Sequence, residues 1–81
     1  MKDWKKPPLG AQTKKSELIG DRGIVLCEIP KRPTEQHTNY VVWNYNTKTG
    51  GYYQGQYTNS LKFAHEEFDD RSTRYNQALT T

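Results

Sequence analysis

The block Tyr40–Thr58, YVVWNYNTKTGGYYQGQYT, limits what this chain can become more than any other stretch. It holds five of the six tyrosines and one of the two tryptophans. In its middle, Thr47-Lys48-Thr49-Gly50 suits a type I turn closed by a glycine in the left-handed region, a common hairpin connection with a bulge. Strands are therefore predicted over Tyr40–Asn46 and Gly51–Thr58. Such a turn pairs Thr47 with Gly51, Tyr45 with Tyr53, Trp43 with Gly55 and Val41 with Tyr57. Alternation then gathers Val41, Trp43, Tyr45, Tyr53 and Tyr57 on one face. The other face receives Tyr40, Val42, Asn44, Tyr52, Gln54 and Gln56. Gly55 opposite Trp43 leaves the indole room to lie across the neighbouring strand.

The hairpin runs into a helix. Asn59 and Ser60 are both good N-cap residues, and Leu61, Ala64, Phe68, Tyr75 and Leu79 recur at three- and four-residue steps, with Arg71 or Ser72 filling the remaining turn. That is an amphipathic stripe, expected to pack on the Trp43 face of the hairpin. Glu66, Glu67, Asp69 and Asp70 fall mostly on the opposite side. Lys62 and Arg74 stand at four-residue spacing from Glu66 and Asp70, a separation that supports weak ion pairs. Upstream, Gly23–Ile29 (GIVLCEI) reads as a strand bounded by glycine and Pro30. Its uniform apolarity implies cover on both sides, or shielding by the segment before it. Residues 31–38, with Pro33, read as a loop.

Residues 1–20 are expected to be a flexible basic arm, leaving 21–81 as one small domain. Pro7-Pro8, Gly10 and the lack of periodicity argue against a packed element there. The arm carries five lysines against Asp3 and Glu17, a net +3 that equals the charge of the whole chain. Trp4 within it either folds back on the domain or inserts into a partner. The expected fold is thus α+β: a three-stranded antiparallel sheet packed on one C-terminal helix. With 32% hydrophobic residues and a mean hydropathy of -1.10, aromatic rings must supply much of the core, each burying about 150–250 Å².

Catalytic chemistry finds little support. His65 and Asp69 share a helical face, yet a metal site needs three or four ligands, and His37 lies in the loop. Carboxylates of the run EEFDD point around the helix instead of converging. Cys27, the only cysteine, sits among apolar residues of a strand and reads as a small buried hydrophobe with no base beside it. Gly50-Gly51 and Gly55 lack the Lys-Ser/Thr that follows a phosphate loop. The expectation is a non-enzymatic protein without cofactor or metal. No run of the sequence is apolar enough for a signal peptide or membrane span, so a cytoplasmic location is the default.

Binding chemistry is better represented. On an outward sheet face, Asn44, Gln54 and Gln56 would offer bidentate hydrogen bonds to adenine edges in a major groove. Tyr40 and Tyr52 would stack on bases or touch phosphates. Lys48 on the turn, Lys31 and Arg32 in the loop, and Lys14 and Lys15 in the arm would neutralise phosphates.

The order strand, strand, strand, helix, with Gly55-Gln56-Tyr57 leading into a capped helix that carries Ala64 and Phe68, resembles the three-stranded DNA-binding domains of the AP2 type. It is similar also to the arm-binding domains of conjugative-transposon integrases, and the chain looks like small proteins encoded by phages and mobile elements. That resemblance implies a nucleic-acid-binding accessory or regulatory factor with duplex DNA as partner, its sheet docked in the major groove. The alternative is an adaptor, or an inhibitor of a host enzyme, acting through the same Tyr/Asn/Gln face or a sheet edge. A monomer, or a weak homodimer through that edge, is expected in either case.

Overall fold

The computed structural model describes residues 4–80, and in it four strands run antiparallel in the order β1-β2-β3-β4: β1 (Gln12–Ile19), β2 (Arg22–Ile29), β3 (Asn39–Asn46) and β4 (Gly51–Thr58). One helix, α1 (Leu61–Thr80), crosses one face of the sheet. The architecture is α+β with a C-terminal helix, as the sequence predicts, but the sheet has four strands and not three. The additional strand is β1, formed by residues expected to belong to the flexible arm; Lys2 and Asp3 of that arm lie outside the described residues. The link from β1 to β2 is the two-residue loop Gly20-Asp21, with Gly20 at φ 65° and Ile19 paired with Arg22. A glycine at positive φ matches the right-handed twist of a tight hairpin.

Central strand β2 is covered on both sides, which is why it reads as uniformly apolar. Ile24 and Leu26 join Ile19, Val42, Ala64 and Phe68 in a cluster beneath α1. Val25 and Cys27 join Ala11, Val41 and Trp43 in a second cluster on the opposite face. There the cover is the N-terminal segment. A 3-10 turn at Pro8–Gly10, closed by the Ala11 N–H donating to the Pro8 carbonyl at 3.1 Å, leads the chain into β1. Trp4 stacks on Tyr45 with ring centroids 4.8 Å apart. Of the two alternatives for Trp4, fold-back is the one observed.

The hairpin turn uses the expected residues but a different register. Asn46 Oδ1 accepts the N–H groups of Lys48 (2.9 Å) and Thr49 (3.2 Å), and the Gly50 N–H reaches the Asn46 carbonyl at 2.7 Å. By holding three amides of the turn, Asn46 becomes the last paired residue, opposite Gly51, and Tyr45 pairs with Tyr52 instead of Tyr53. A bulge between Val42 and Asn44, where Gln54 takes φ 55°, then restores the predicted pairing of Val41 with Tyr57. Gly55 still lies against Trp43: a β-carbon there would stand 2.5 Å from the indole nitrogen.

This shift does not alter which side Trp43 occupies, but the helix chooses the other side. α1 packs over Val42 and Asn44, on the face expected to be outward, while Trp43 and Tyr45 lie under the N-terminal segment. The expectation that the helix packs on the Trp43 face is thereby corrected. Aliphatic Ile24, Leu26 and Val42 lie under Ala64 and Phe68 of the helix, and the rings of the other face are covered by Trp4 and the N-terminal segment. Ser60 caps α1, its hydroxyl accepting the Phe63 N–H at 3.2 Å. Leu61 and Leu79 of the predicted stripe are exposed, and Arg71 fills the turn between Phe68 and Tyr75. Asp70 and Arg74 form the predicted pair at 3.1 Å.

Candidate functional site

Of the residues expected on an outward sheet face, Asn44 is withdrawn from solvent. It is 1% exposed and sits at the centre of a polar network beneath α1. Its Nδ2 donates to Gln54 Oε1 (2.8 Å) and to Tyr75 Oη (2.9 Å), and its Oδ1 accepts from Arg71 Nη1 (3.2 Å). Arg71, 6% exposed, also donates through Nε to Glu67 (2.7 Å) and through Nη2 to the Gln54 carbonyl (2.7 Å). The last contact explains the bulge. A bulge takes backbone groups out of the ladder, and the guanidinium satisfies the carbonyl so released. An arginine buried this way is tolerable because its donors meet a carboxylate and two carbonyl oxygens. Asn44 and the inner atoms of Gln54 therefore hold the fold together instead of facing a partner. Tyr40 is half-buried against the same helix cluster.

Tyr52 lies on the opposite face. Its ring tilts against Tyr45 and meets Trp43 edge-on, and its hydroxyl donates to the Lys5 carbonyl at 2.5 Å. Lys5 N–H in turn donates to the Tyr45 hydroxyl at 3.0 Å. These two bonds and the Trp4 stack tie the N-terminal segment down. Burial, helped by nearby Cys27 and Tyr45, pushes the Tyr52 phenol up to about 12. Desolvation also raises the Cys27 thiol, although Thr13 Oγ1 lies 3.8 Å from its sulfur; the cysteine is buried, as its apolar neighbours predict.

The basic residues divide into separate places. Lys5, Lys6, Lys14 and Lys15 line a cleft of about 400 Å³ between the N-terminal segment and β1, with Trp4, Thr13 and Tyr52. Lys14 also reaches Glu28 at 3.6 Å, and the Lys15 ammonium turns toward α1, 3.5 Å from Asp69 and 4.7 Å from the Phe68 ring centroid. Lys48 pairs with Asp21 at 3.1 Å, and that hydrogen bond holds the Asp21 carboxyl below its ordinary range. Lys31 and Arg32 lie exposed in the β2–β3 loop, where the Arg32 N–H donates to Glu35. Lys5 and Lys6 are the cleft lysines that the sequence did not single out as site residues. The signal for them was Pro7-Pro8-Leu9-Gly10: a chain reversal there brings Lys5 and Lys6 alongside Lys14 and Lys15.

Another cleft, of about 360 Å³, lies between the last residues of β4 and the first turns of α1, lined by Gln56, Tyr57, Thr58, Phe63, Ala64, Glu66, Glu67 and Asp70. Tyr57 is 52% exposed and Phe63 62% exposed, and Leu61 and Tyr53 are exposed nearby in sequence. Of the amides expected at a working surface, Gln56 alone borders this cleft. Among the described residues no group of three or more His, Cys, Asp or Glu side chains is placed to hold a metal ion, and no described helix is long and apolar enough to cross a membrane. No family model, curated protein or solved structure matches this chain.

Proposed function

We propose that this chain is a small non-enzymatic protein-binding module whose working surface is the open edge of β4 together with the cleft between β4 and α1. The observation that carries this reading is the contrast between covered faces and an uncovered edge. Central strands β2 and β3 are buried on both sides, so a partner meets the centre of the sheet only after displacing α1 or the N-terminal segment. β4 stands at the end of the strand order and carries no charged residue. Unpaired backbone groups along such an edge, flanked by exposed Tyr57 and Phe63, suit addition of a strand. The bulge held by Arg71 restricts regular pairing to the stretch beside the cleft, which turns a general liability into a limited, selectable site. Binding of wild-type protein to an array of extended peptides, set against the Phe63→Ser variant, tests the reading. Recognition lost in the variant is expected, and recognition unchanged by it would remove the cleft from the function.

A second reading, nucleic-acid binding, draws on the lysine cleft alone. Exposed ion pairs such as Lys14–Glu28 and Lys15–Asp69 contribute about 0–1 kcal/mol, so phosphates can compete for those ammonium groups. Titration with random duplex DNA at rising salt separates the two readings. With the Lys15 ammonium turned toward α1, contacts by Lys5, Lys6 and Lys14 imply a logarithmic salt slope of roughly -3, and undetectable binding at low salt leaves the β4 reading alone.

A further inference from the structure

The two open edges of the sheet are guarded unequally. β1 presents Lys14 and Lys15, with a register shift between Thr13 and Lys15, devices that deter a second strand. β4 has neither lysine nor proline, and its pairing with β3 is regular through Gln56, Tyr57 and Thr58, against Val42, Val41 and Tyr40. Beside that stretch, the wall of the cleft formed by α1 is acidic, with Glu66, Glu67 and Asp70. Glu67 is committed to Arg71, and Asp70 shares an exposed pair with Arg74, in which both side chains are more than half exposed. Glu66 has no ion-pair partner among the described residues.

Resting on the protein-binding reading, we infer that the occupant of this site is an extended, basic segment of another polypeptide. Its backbone pairs with Gln56–Thr58, an aliphatic or aromatic side chain lies beside the Tyr57 ring on the Trp43 face, and a Lys or Arg on the α1 face runs past Phe63 to reach Glu66 and Asp70. Alternation along a strand sends successive side chains to opposite faces, so an alternating apolar and basic segment satisfies one face with each set. A second copy of this chain paired through β4 is the poorer occupant, because it brings an uncharged strand to the carboxylates.

Three synthetic peptides serve as probes: alternating lysine–valine, threonine–valine and glutamate–valine hexapeptides, each added to the isotopically labelled chain and followed by amide NMR. The expected result is perturbation confined to Gln56–Thr58 and the first turns of α1, with lysine–valine binding at least tenfold tighter than glutamate–valine. Glu66→Lys should cut the lysine–valine affinity several-fold and leave threonine–valine unchanged. Equal perturbation of β4 by all three peptides keeps the protein-binding reading and overturns the preference for a basic segment. No perturbation of β4 by any of them overturns both. Concentration-dependent self-association that protects the β4 amides, seen by sedimentation without peptide, overturns the choice of occupant in favour of a second copy.

Discussion

The two faces of the sheet are built from different chemistry. Under α1, aliphatic side chains surround a hydrogen-bonded core of Asn44, Gln54, Tyr75, Glu67 and Arg71. Under the N-terminal segment, rings do the packing: Trp4 on Tyr45, with Tyr52 and Tyr57 edge-on to Trp43. The difference shows that ring content is a poor guide to where a helix docks. Rings of this size tolerate a loose cover, because Tyr hydroxyls remain free to bond a passing backbone. Here Tyr45 and Tyr52 both bond Lys5. A polar network has no such freedom, since each member left without a partner in the interior is costly. The helix face is therefore the specified one, and the ring face is closed by whatever segment reaches it.

The strongest challenge to this contrast is Arg71→Met, which strands the Glu67 carboxylate, Asn44 Oδ1 and the Gln54 carbonyl together. A loss of about 3–5 kcal/mol is expected in urea denaturation, accompanied by faster hydrogen exchange around Gln54. A loss below about 1 kcal/mol would mean that the network is peripheral to the helix face. On the ring face the expected effects are smaller. A β-carbon added at Gly23 would stand 2.5 Å from Trp4 Cη2, so Gly23→Ala must push the indole off the sheet. It should destabilise by about 1–2 kcal/mol, comparable to Trp4→Ala, in keeping with a stacked ring pair and partial burial. In a double-mutant cycle, Gly23→Ala placed on Trp4→Ala should be close to neutral. Additive losses would show that Trp4 does not rest on Gly23.

The smallest effect concerns pH. The Tyr52 phenol is raised in the folded chain, to about 12 from an ordinary value of 10.0. The stability it contributes is complete below pH 10, where the phenol is neutral in both states. That stability declines between pH 10 and 12, as the unfolded chain ionises first. Thermal denaturation should accordingly fall less steeply above pH 10 for Tyr52→Phe than for wild type. Parallel curves would indicate that the ring face leaves Tyr52 open to water.

Much of the architecture was legible because local rules act without long-range help. The Ser60 cap, the Ala64–Phe68–Tyr75 periodicity, the apolar β2 and the Thr47–Gly50 turn each follow from neighbours in sequence. β1 was not legible in QTKKSELI, since an edge strand is held mainly by its ladder and needs little apolar alternation. Only the Gly20-Asp21 dipeptide marked it, as a two-residue hairpin loop. The expected site was half legible. Gln56 borders the cleft proposed to bind, and Tyr52, Lys14 and Lys15 line the lysine cleft, whereas Asn44 looked like an exposed amide until Arg71 was brought to it. Polar side chains declare nothing about burial until their partners are known.

Hydrophobic period, turn chemistry and capping thus settled the kinds of element and their order along the chain, because each depends on residues within a few positions of one another. Tertiary structure decided the rest: which face the helix covers, where the N-terminal segment lies, and which strands form the open edges of the sheet. Those outcomes turn on contacts between residues far apart in sequence, such as Asn44 with Arg71, Trp4 with Tyr45 and Asn44 with Tyr75. Alternation defines two faces of a strand but cannot say which of them a distant helix will prefer.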